Sequence, residues 1–280
     1  MNYEDYVREQ VEPISKRNWK IVQELKNLGI INLDTRILTR FWRDFVKYKE
    51  RRKTEIPFLL SQLKEYQCPK IFNSCLGSGP TTIGLVKAGI RNVISNEIDD
   101  DFLRLAEQET KKYGVRLCVT RYDWRELNKQ LFEKFDAVLN LGNSLTYLFK
   151  PNDQSKSLNN FWKTLKFGGK LIIDERNYAE LFLKGNGSNY KYTGKVVYCG
   201  VDKVYAHPFY ISDDQNMVIM EYIHKKNGAK LHLVLYPWKK GELKEKLTKA
   251  GFKKIKVYGD YQEQFDPKDP EFFTYVCRKI

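Results

Sequence analysis

A chain of 280 residues is long enough for one substantial core with insertions, and at 42% hydrophobic and 30% charged residues it has the composition of an ordinary soluble globular protein and is too apolar to be disordered. No run approaches eighteen uncharged apolar residues, the acidic, mixed start MNYEDYVREQVEP carries no export signal, and the five cysteines lack CxxC spacing, so neither a zinc site nor a disulfide framework is expected and a cytoplasmic setting fits. The net charge of +14 invites a nucleic-acid reading, but basic runs such as Lys239–Lys246 interleave acids as solvated helix faces do, so no nucleic-acid partner and no membrane are expected.

Residues 1–66 carry helical apolar spacing, as in Trp19, Val22 and Leu25 and in Phe41, Trp42, Phe45 and Val46, and form a helical cap. The pattern then changes to short apolar runs: KIFNSC (70–75), NVISNE (92–97), RLCVTR (116–121), FDAVLNL (135–141) and KLIIDE (170–175). Amphipathic stretches at 80–89, 100–113, 124–132 and 156–166 separate them, the rhythm of βαβ crossovers in a parallel sheet. Beyond Arg176 the runs at 196–198, 203–205, 217–222 and 231–235 are linked by turn residues and predict an antiparallel insertion. A helix over 241–250 and strands over 254–259 and 271–278 complete the sheet. The boundaries expected are 1–66 for the cap, 67–177 for a cofactor-binding core, 178–236 for the insertion over the acceptor site and 237–280 for completion of the core sheet.

The chemistry-bearing residues fall at the ends of successive strands. Gly77 and Gly79 follow the first run and precede a helix, where glycine lets backbone turn tightly against a ligand. Taken alone such a turn is common. Glu97 ends the next strand twenty residues after Gly77, where a carboxylate can accept both hydrogen bonds of a ribose diol, and Asp123 and Trp124 follow the third, an acid for an adenine amino group and an indole for the base. Pro80 breaks the GxGxxG pattern of a nicotinamide dinucleotide site. The sum is one nucleoside groove along the carboxyl edge of a sheet.

These residues resemble the class I S-adenosylmethionine-dependent methyltransferases. The strings Tyr122-Asp-Trp-Arg-Glu-Leu127, Phe135 to Leu148 (FDAVLNLGNSLTYL), Gly168 to Tyr178 (GGKLIIDERNY) and Tyr198-Cys-Gly200 narrow the resemblance to glycine, sarcosine and dimethylglycine N-methyltransferases over about residues 51–280. The resemblance implies an α/β fold, a Rossmann-like, doubly wound, mostly parallel seven-stranded sheet with the cap and insertion appended. It implies S-adenosyl-L-methionine as methyl donor and a small soluble acceptor, most readily an amine. Arg51, with Arg52 beside it, corresponds to the family's arginine for the methionine carboxylate; Cys75, Gly77 and Gly79 would line the methionine part, Glu97 the ribose, Asp123 and Trp124 the adenine, and Leu141 the groove. Asn143 and Arg176 correspond to the acceptor-positioning residues, Arg176 pairing with a carboxylate. Tyr147 stands where the family often has histidine, and Tyr198 leans toward the acceptor. No covalent nucleophile is implied.

Asn73 replaces the family's usual acid at the first strand end, and the glycine loop lacks the customary alanine-cysteine-glycine. The acceptor therefore stays open to an amino sugar or a hydroxylated metabolite. RNA or protein substrates have only the charge in their favour, since Asn140-Leu-Gly-Asn143 stands where base methyltransferases carry an Asn-Pro-Pro-Tyr type of tetrapeptide. A cofactor-binding protein without turnover would look the same in sequence, and assembly into a homo-oligomer is left open.

Overall fold

The computed structural model describes residues 2–46, 48–183 and 203–280. Four helices open the chain: α1 (Tyr3–Val11), α2 (Lys16–Asn27), α3 (Thr35–Phe45) and α4 (Tyr48–Leu63). Their starts are written locally. Asn2, Ser15 and Asp34 each turn a side-chain oxygen onto an otherwise unpaired amide of the first turn of α1, α2 and α3.

The sheet strands β1 (Ile71–Asn73), β2 (Val93–Asn96), β3 (Val119–Thr120), β4 (Phe135–Asn140) and β5 (Leu165–Arg176) alternate with α5 (Pro80–Lys87), α6 (Asp100–Lys112) and α7 (Pro151–Thr164). After α8 (Tyr178–Leu183) come β6 (Val204–Ile211), β7 (Val218–His224) and β8 (Lys230–Leu235), then α9 (Glu242–Lys249), β9 (Phe252–Gly259) and β10 (Phe272–Lys279). The seven-stranded sheet runs β3-β2-β1-β4-β5-β10-β9 and the second sheet β6-β7-β8. β1 to β5 pair in parallel, whereas β10 runs antiparallel to both β5 and β9. The mostly parallel α/β architecture is thus the one expected. Ile71, Phe72, Ala137, Val138, Leu139 and Ile172 have no exposed surface, as central strands covered on both faces require.

Two local expectations need correction. No α-helix fills 124–132; two single 3-10 turns, Trp124–Glu126 and Lys129–Leu131, stand there because Asp123 and Asn128 each cap an amide two residues on, which favours turns over helix. The helix expected at 156–166 begins at Pro151, whose fixed φ suits a first helical position, and β5 starts at Leu165 directly after it. The short helix α8 went unanticipated. The strand expected at 196–198, and Tyr198 with it, lies outside the described residues.

The first helices are bound to the small sheet. Tyr3 Oη bridges the Val234 backbone, accepting from its N–H at 3.0 Å, and the N–H of Asn32 donates to His232 Nδ1 at 2.9 Å. Asp44 on α3 holds Lys203 Nζ at 2.6 Å and His224 Nε2 at 3.1 Å. These ties set α3 and β7 side by side over the carboxyl edge of the large sheet. No helix among the described residues is long and apolar enough to cross a membrane.

Candidate active site

The first half of the site is the carboxyl edge of β1, β2 and β3. Gly77 and Gly79 adopt φ values of 53° and 88°, which favour glycine, and a Cβ added at Gly77 would meet nothing within 4 Å. At Gly77 the loop therefore faces open space. Gly77 N donates to Glu97 Oε2 at 2.8 Å and Asp99 N to Glu97 Oε1 at 3.0 Å, which fixes that carboxylate beside the loop. Burial outweighs these two bonds and pushes the Glu97 pKa up to about 7.

Asn96 fastens the next strand end to this one. Its Nδ2 donates to Tyr122 O at 2.9 Å and its Oδ1 accepts from Tyr122 N at 2.8 Å, so Glu97 and Asp123, each one residue further on, share an edge. Asp123 is gripped by Arg125, through Nε at 3.0 Å and Nη2 at 2.6 Å, and Arg125 also reaches Glu9 of α1 at 2.6 Å and Asp153 at 3.1 Å. Burial raises the Asp123 pKa, but Arg125 more than cancels it and holds the group below its ordinary value. Trp124 spends its indole N–H on Ser74 O at 2.8 Å and so presents its ring as a wall. Cys75 and Leu141 bond reciprocally, thiol to carbonyl and amide to sulfur, both at 3.1 Å, which leaves only the backbone of Cys75 for a ligand; burial outweighs the lowering effect of the Leu141 carbonyl and lifts the thiol to about 12.

The second half is a cavity beneath α3 and the small sheet. Arg51, Asn143, Tyr147 and Arg176 line it together with Trp42, Phe45, Tyr222 and Phe272. Arg51 is held from behind by the fully buried Glu55, with Nη2 to Oε2 at 2.5 Å, and Thr81 and Tyr261 donate to the same carboxylate. Arg52 turns instead over the Tyr113 ring, 4.8 Å from its centroid, which separates the two adjacent arginines. Asn143 has φ 62°, and the Asp174 carboxylate fixes its turn by accepting Gly142 N at 2.9 Å and Asn143 N at 2.6 Å. Asn143 Oδ1 accepts Arg176 N at 3.0 Å and Asn143 Nδ2 donates to Tyr178 Oη at 2.7 Å. The Arg176 guanidinium lies 4.7 Å over Phe272, its partner across β5 and β10. Burial, then the neighbouring Tyr3, Tyr222, Tyr178 and Glu97, raise Tyr147 far above the ordinary phenol range.

The residues present suit a sulfonium nucleoside carrying an amino-acid tail. The space over Gly77 is open, with bare backbone beneath it. Ser78 Oγ, in the same loop, is buried with no hydrogen-bond partner among the described residues. Arg51, next to the loop through Thr81, supplies a fixed cation for a carboxylate.

Comparison with known proteins identifies the family. A family model described as a methyltransferase domain matches residues 71–169. The glycine/sarcosine N-methyltransferase of Aphanothece halophytica is 32% identical over 238 residues, spanning 85% of this chain and 86% of that protein. The chain belongs to the glycine/sarcosine N-methyltransferase family. The glycine N-methyltransferase of Homo sapiens is 27% identical, covering 86% of this chain and 90% of its own length. An S-adenosylmethionine-dependent methyltransferase structure from Clostridium acetobutylicum ATCC 824 superposes with a TM-score of 0.64 at 18% identity, over 83% of this chain and 92% of that one, and shares the fold. This N-methyltransferase uses S-adenosylmethionine as methyl donor.

Sequence reasoning missed several residues of this candidate site. Glu55 and Asp174 hold its arginine and its Gly142-Asn143 turn, Arg125 and Glu9 clamp Asp123, and Trp42, Phe45, Tyr222 and Phe272 wall the cavity. A signal existed for two: Glu55 stands one helical turn after Arg51, and Asp174 stands two positions before Arg176, on the same face of β5.

Proposed function

We propose that the acceptor is a small amino compound bearing a carboxylate, of the glycine, sarcosine and dimethylglycine type, methylated on nitrogen. The observation that carries this is the pair of guanidinium groups, Arg51 and Arg176, on one cavity with Asn143 between β4 and β5. The Arg176 guanidinium can match the acceptor carboxylate as a planar fork, while Arg51, whose Nε and Nη2 are engaged by Glu55, brings a second guanidinium to the side of the donor's methionine tail. The water-accessible space of the cavity, about 70 Å³, suits a molecule of few atoms. Tyr198, expected to lean over the acceptor, keeps that role as a proposal.

In this reading Gly77, Gly79, Cys75 and Arg51 hold the methionine part, Glu97 the ribose, Asp123 and Trp124 the adenine, and Leu141 the wall of the groove, with Tyr147 at the junction with the acceptor. The bound donor supplies an electrophilic methyl carbon on a positively charged sulfur. The chain's task is then to hold an amine lone pair in line with that carbon and to exclude water, and fixed orientation contributes at most about 7–11 kcal/mol. Asn143 and Arg176 orient the acceptor, while Arg125 and Glu9 draw α1 over the adenine end as a lid. The same reading takes RNA and membranes as no partners and the cytoplasm as the setting, supported by lysines paired within the surface, as in Lys249–Glu245 and Lys256–Glu263, and by thiols at Cys68, Cys75, Cys118 and Cys277.

The assay that tests this is release of S-adenosylhomocysteine with glycine, sarcosine, dimethylglycine and a panel of amino sugars and hydroxylated metabolites. Turnover confined to the amino acids is expected; turnover only with a carboxylate-free acceptor rejects the reading.

A second expectation concerns pH. The ionised form of Glu97 is the one that accepts both hydroxyls of a ribose, and its pKa of about 7 lies well above the ordinary carboxylate range. Donor affinity should therefore weaken as pH falls through about 7, by about tenfold per unit below it, with one proton released on binding. Calorimetric titration of S-adenosylhomocysteine between pH 5.5 and 8.5 measures it, and Glu97→Gln should flatten the profile. A flat profile in the parent protein would remove Glu97 from the ribose.

A further inference from the structure

The cavity has an aromatic wall that the binding of carboxylates does not use. Trp42 and Phe45, one turn apart on α3, have ring centroids 5.0 Å apart, and Tyr222 of β7 meets Phe45 edge-on at 5.1 Å. All three line the cavity that holds Asn143 and Arg176. The wall is built rather than loose, because Asp44 between Trp42 and Phe45 ties α3 to Lys203 and to His224 at the end of β7. No carboxylate and no imidazole lines the cavity among the described residues. The Asn143 carbonyl oxygen is already engaged by the Arg176 amide.

Such a lining discriminates between amines. The secondary ammonium formed from glycine keeps two N–H groups that need acceptors, for which the side chains of the lining offer little beyond the Tyr147 and Tyr222 hydroxyls, and each one left unsatisfied when buried costs about tenfold or more. A quaternary ammonium has none, and its diffuse charge is favoured over indole and phenyl faces. We infer that this wall selects the more highly methylated acceptors, so that the chain prefers a tertiary α-amino acid, N,N-dimethylglycine, over sarcosine and sarcosine over glycine. The inference rests on the amino-acid reading given under Proposed function and specifies which of those acceptors the site is shaped for. In the transfer the dimethylamino nitrogen, unprotonated on entry, gives its lone pair to the methyl carbon. The carbon–sulfur pair returns to sulfur, leaving a neutral thioether and a trimethylammonium with no proton to lose. Trp42, Phe45 and Tyr222 are the specificity-determining residues and Asp44 their positioning residue.

The test is kcat/KM for the three acceptors in the parent protein and in Trp42→Ala and Phe45→Leu, with binding of trimethylglycine followed by tryptophan fluorescence in the presence of S-adenosylhomocysteine. Expected are a preference of at least about tenfold for dimethylglycine over glycine, its collapse in either variant with the KM for the donor unchanged, and saturable quenching by trimethylglycine that Phe45→Leu weakens. Glycine as the best acceptor, or variants that slow all three acceptors equally, would overturn the aromatic selection while leaving amino-acid methylation standing. Absence of turnover with every amino acid would instead overturn the amino-acid reading and this inference together. Should Trp42→Ala fail to fold, Phe45→Leu and the fluorescence titration decide alone.

Discussion

Replacing Arg176 by alanine should lower kcat/KM for a carboxylate-bearing acceptor by about 100- to 1,000-fold while leaving S-adenosylhomocysteine affinity within about threefold. The side chain is 5% exposed, stands over Phe272 and lines the cavity, so it presents its charge where little water competes. Removing one member of a buried, charge-assisted pair costs roughly 2–5 kcal/mol, since the acceptor carboxylate is then desolvated without a partner. Arg176→Lys should recover part of the loss, because the charge survives and the planar fork does not. In the proposed reading the donor is held elsewhere, by the glycine loop, Glu97 and Arg51, so the loss should fall on acceptor kinetics alone. Unchanged acceptor kinetics with donor binding retained would take Arg176 out of the acceptor site.

That Arg176 could be singled out from the chain alone follows from where it sits. Residues at the ends of central strands are fixed by short-range rules: β1, β2, β4 and β5 announce themselves as apolar runs, and whatever follows each run lies on one edge. Gly77, Glu97, Asp123, Asn143 and Arg176 all stand at such ends, and the structure gathers them along that edge. The aromatic wall was illegible for the opposite reason. Trp42, Phe45, Tyr222 and Phe272 reach one cavity from α3, β7 and β10, separated by up to most of the chain, and their spacing reads only as the buried stripe of an amphipathic element. What joins them is tertiary, the Asp44 contacts with Lys203 and His224 and the β5–β10 pairing that sets Phe272 opposite Arg176. The region 124–132 failed locally. Its apolar spacing suits a helix, but Asp123 and Asn128 offer their own side chains to the nearby amides and Arg125 is drawn into the Asp123–Glu9–Asp153 cluster. A residue recruited to a binding edge there outweighs propensity.

Glu175→Gln should raise the thermal stability of the protein at alkaline pH and not at acid pH. Glu175 sits between Asp174 and Arg176 on β5 and, by strand alternation, points to the other face of the sheet, where Tyr275 of β10 donates a short hydrogen bond to its carboxyl group. Burial, with added repulsion from Glu242 and Asp174, outweighs that bond and lifts its pKa from 4.5 to about 8. Because the folded pKa lies above the unfolded one, the folded chain holds a proton that the unfolded chain has released between those two values. Stability attributable to this group is thus fully present below about pH 4.5, declines as pH rises, and is gone above about pH 8, a total loss of at most about 4–5 kcal/mol. A glutamine is neutral throughout, so the variant escapes that loss. Differential scanning fluorimetry should find the variant several degrees more stable than the parent at pH 9 and equal or less stable at pH 5, where the parent carboxyl is already neutral and the new amide must find partners. A difference in melting temperature that stays constant from pH 5 to pH 9 would show that Glu175 shares its proton affinity between the folded and unfolded chain, and that the buried face of β5 places no proton at the carboxyl group beside Arg176.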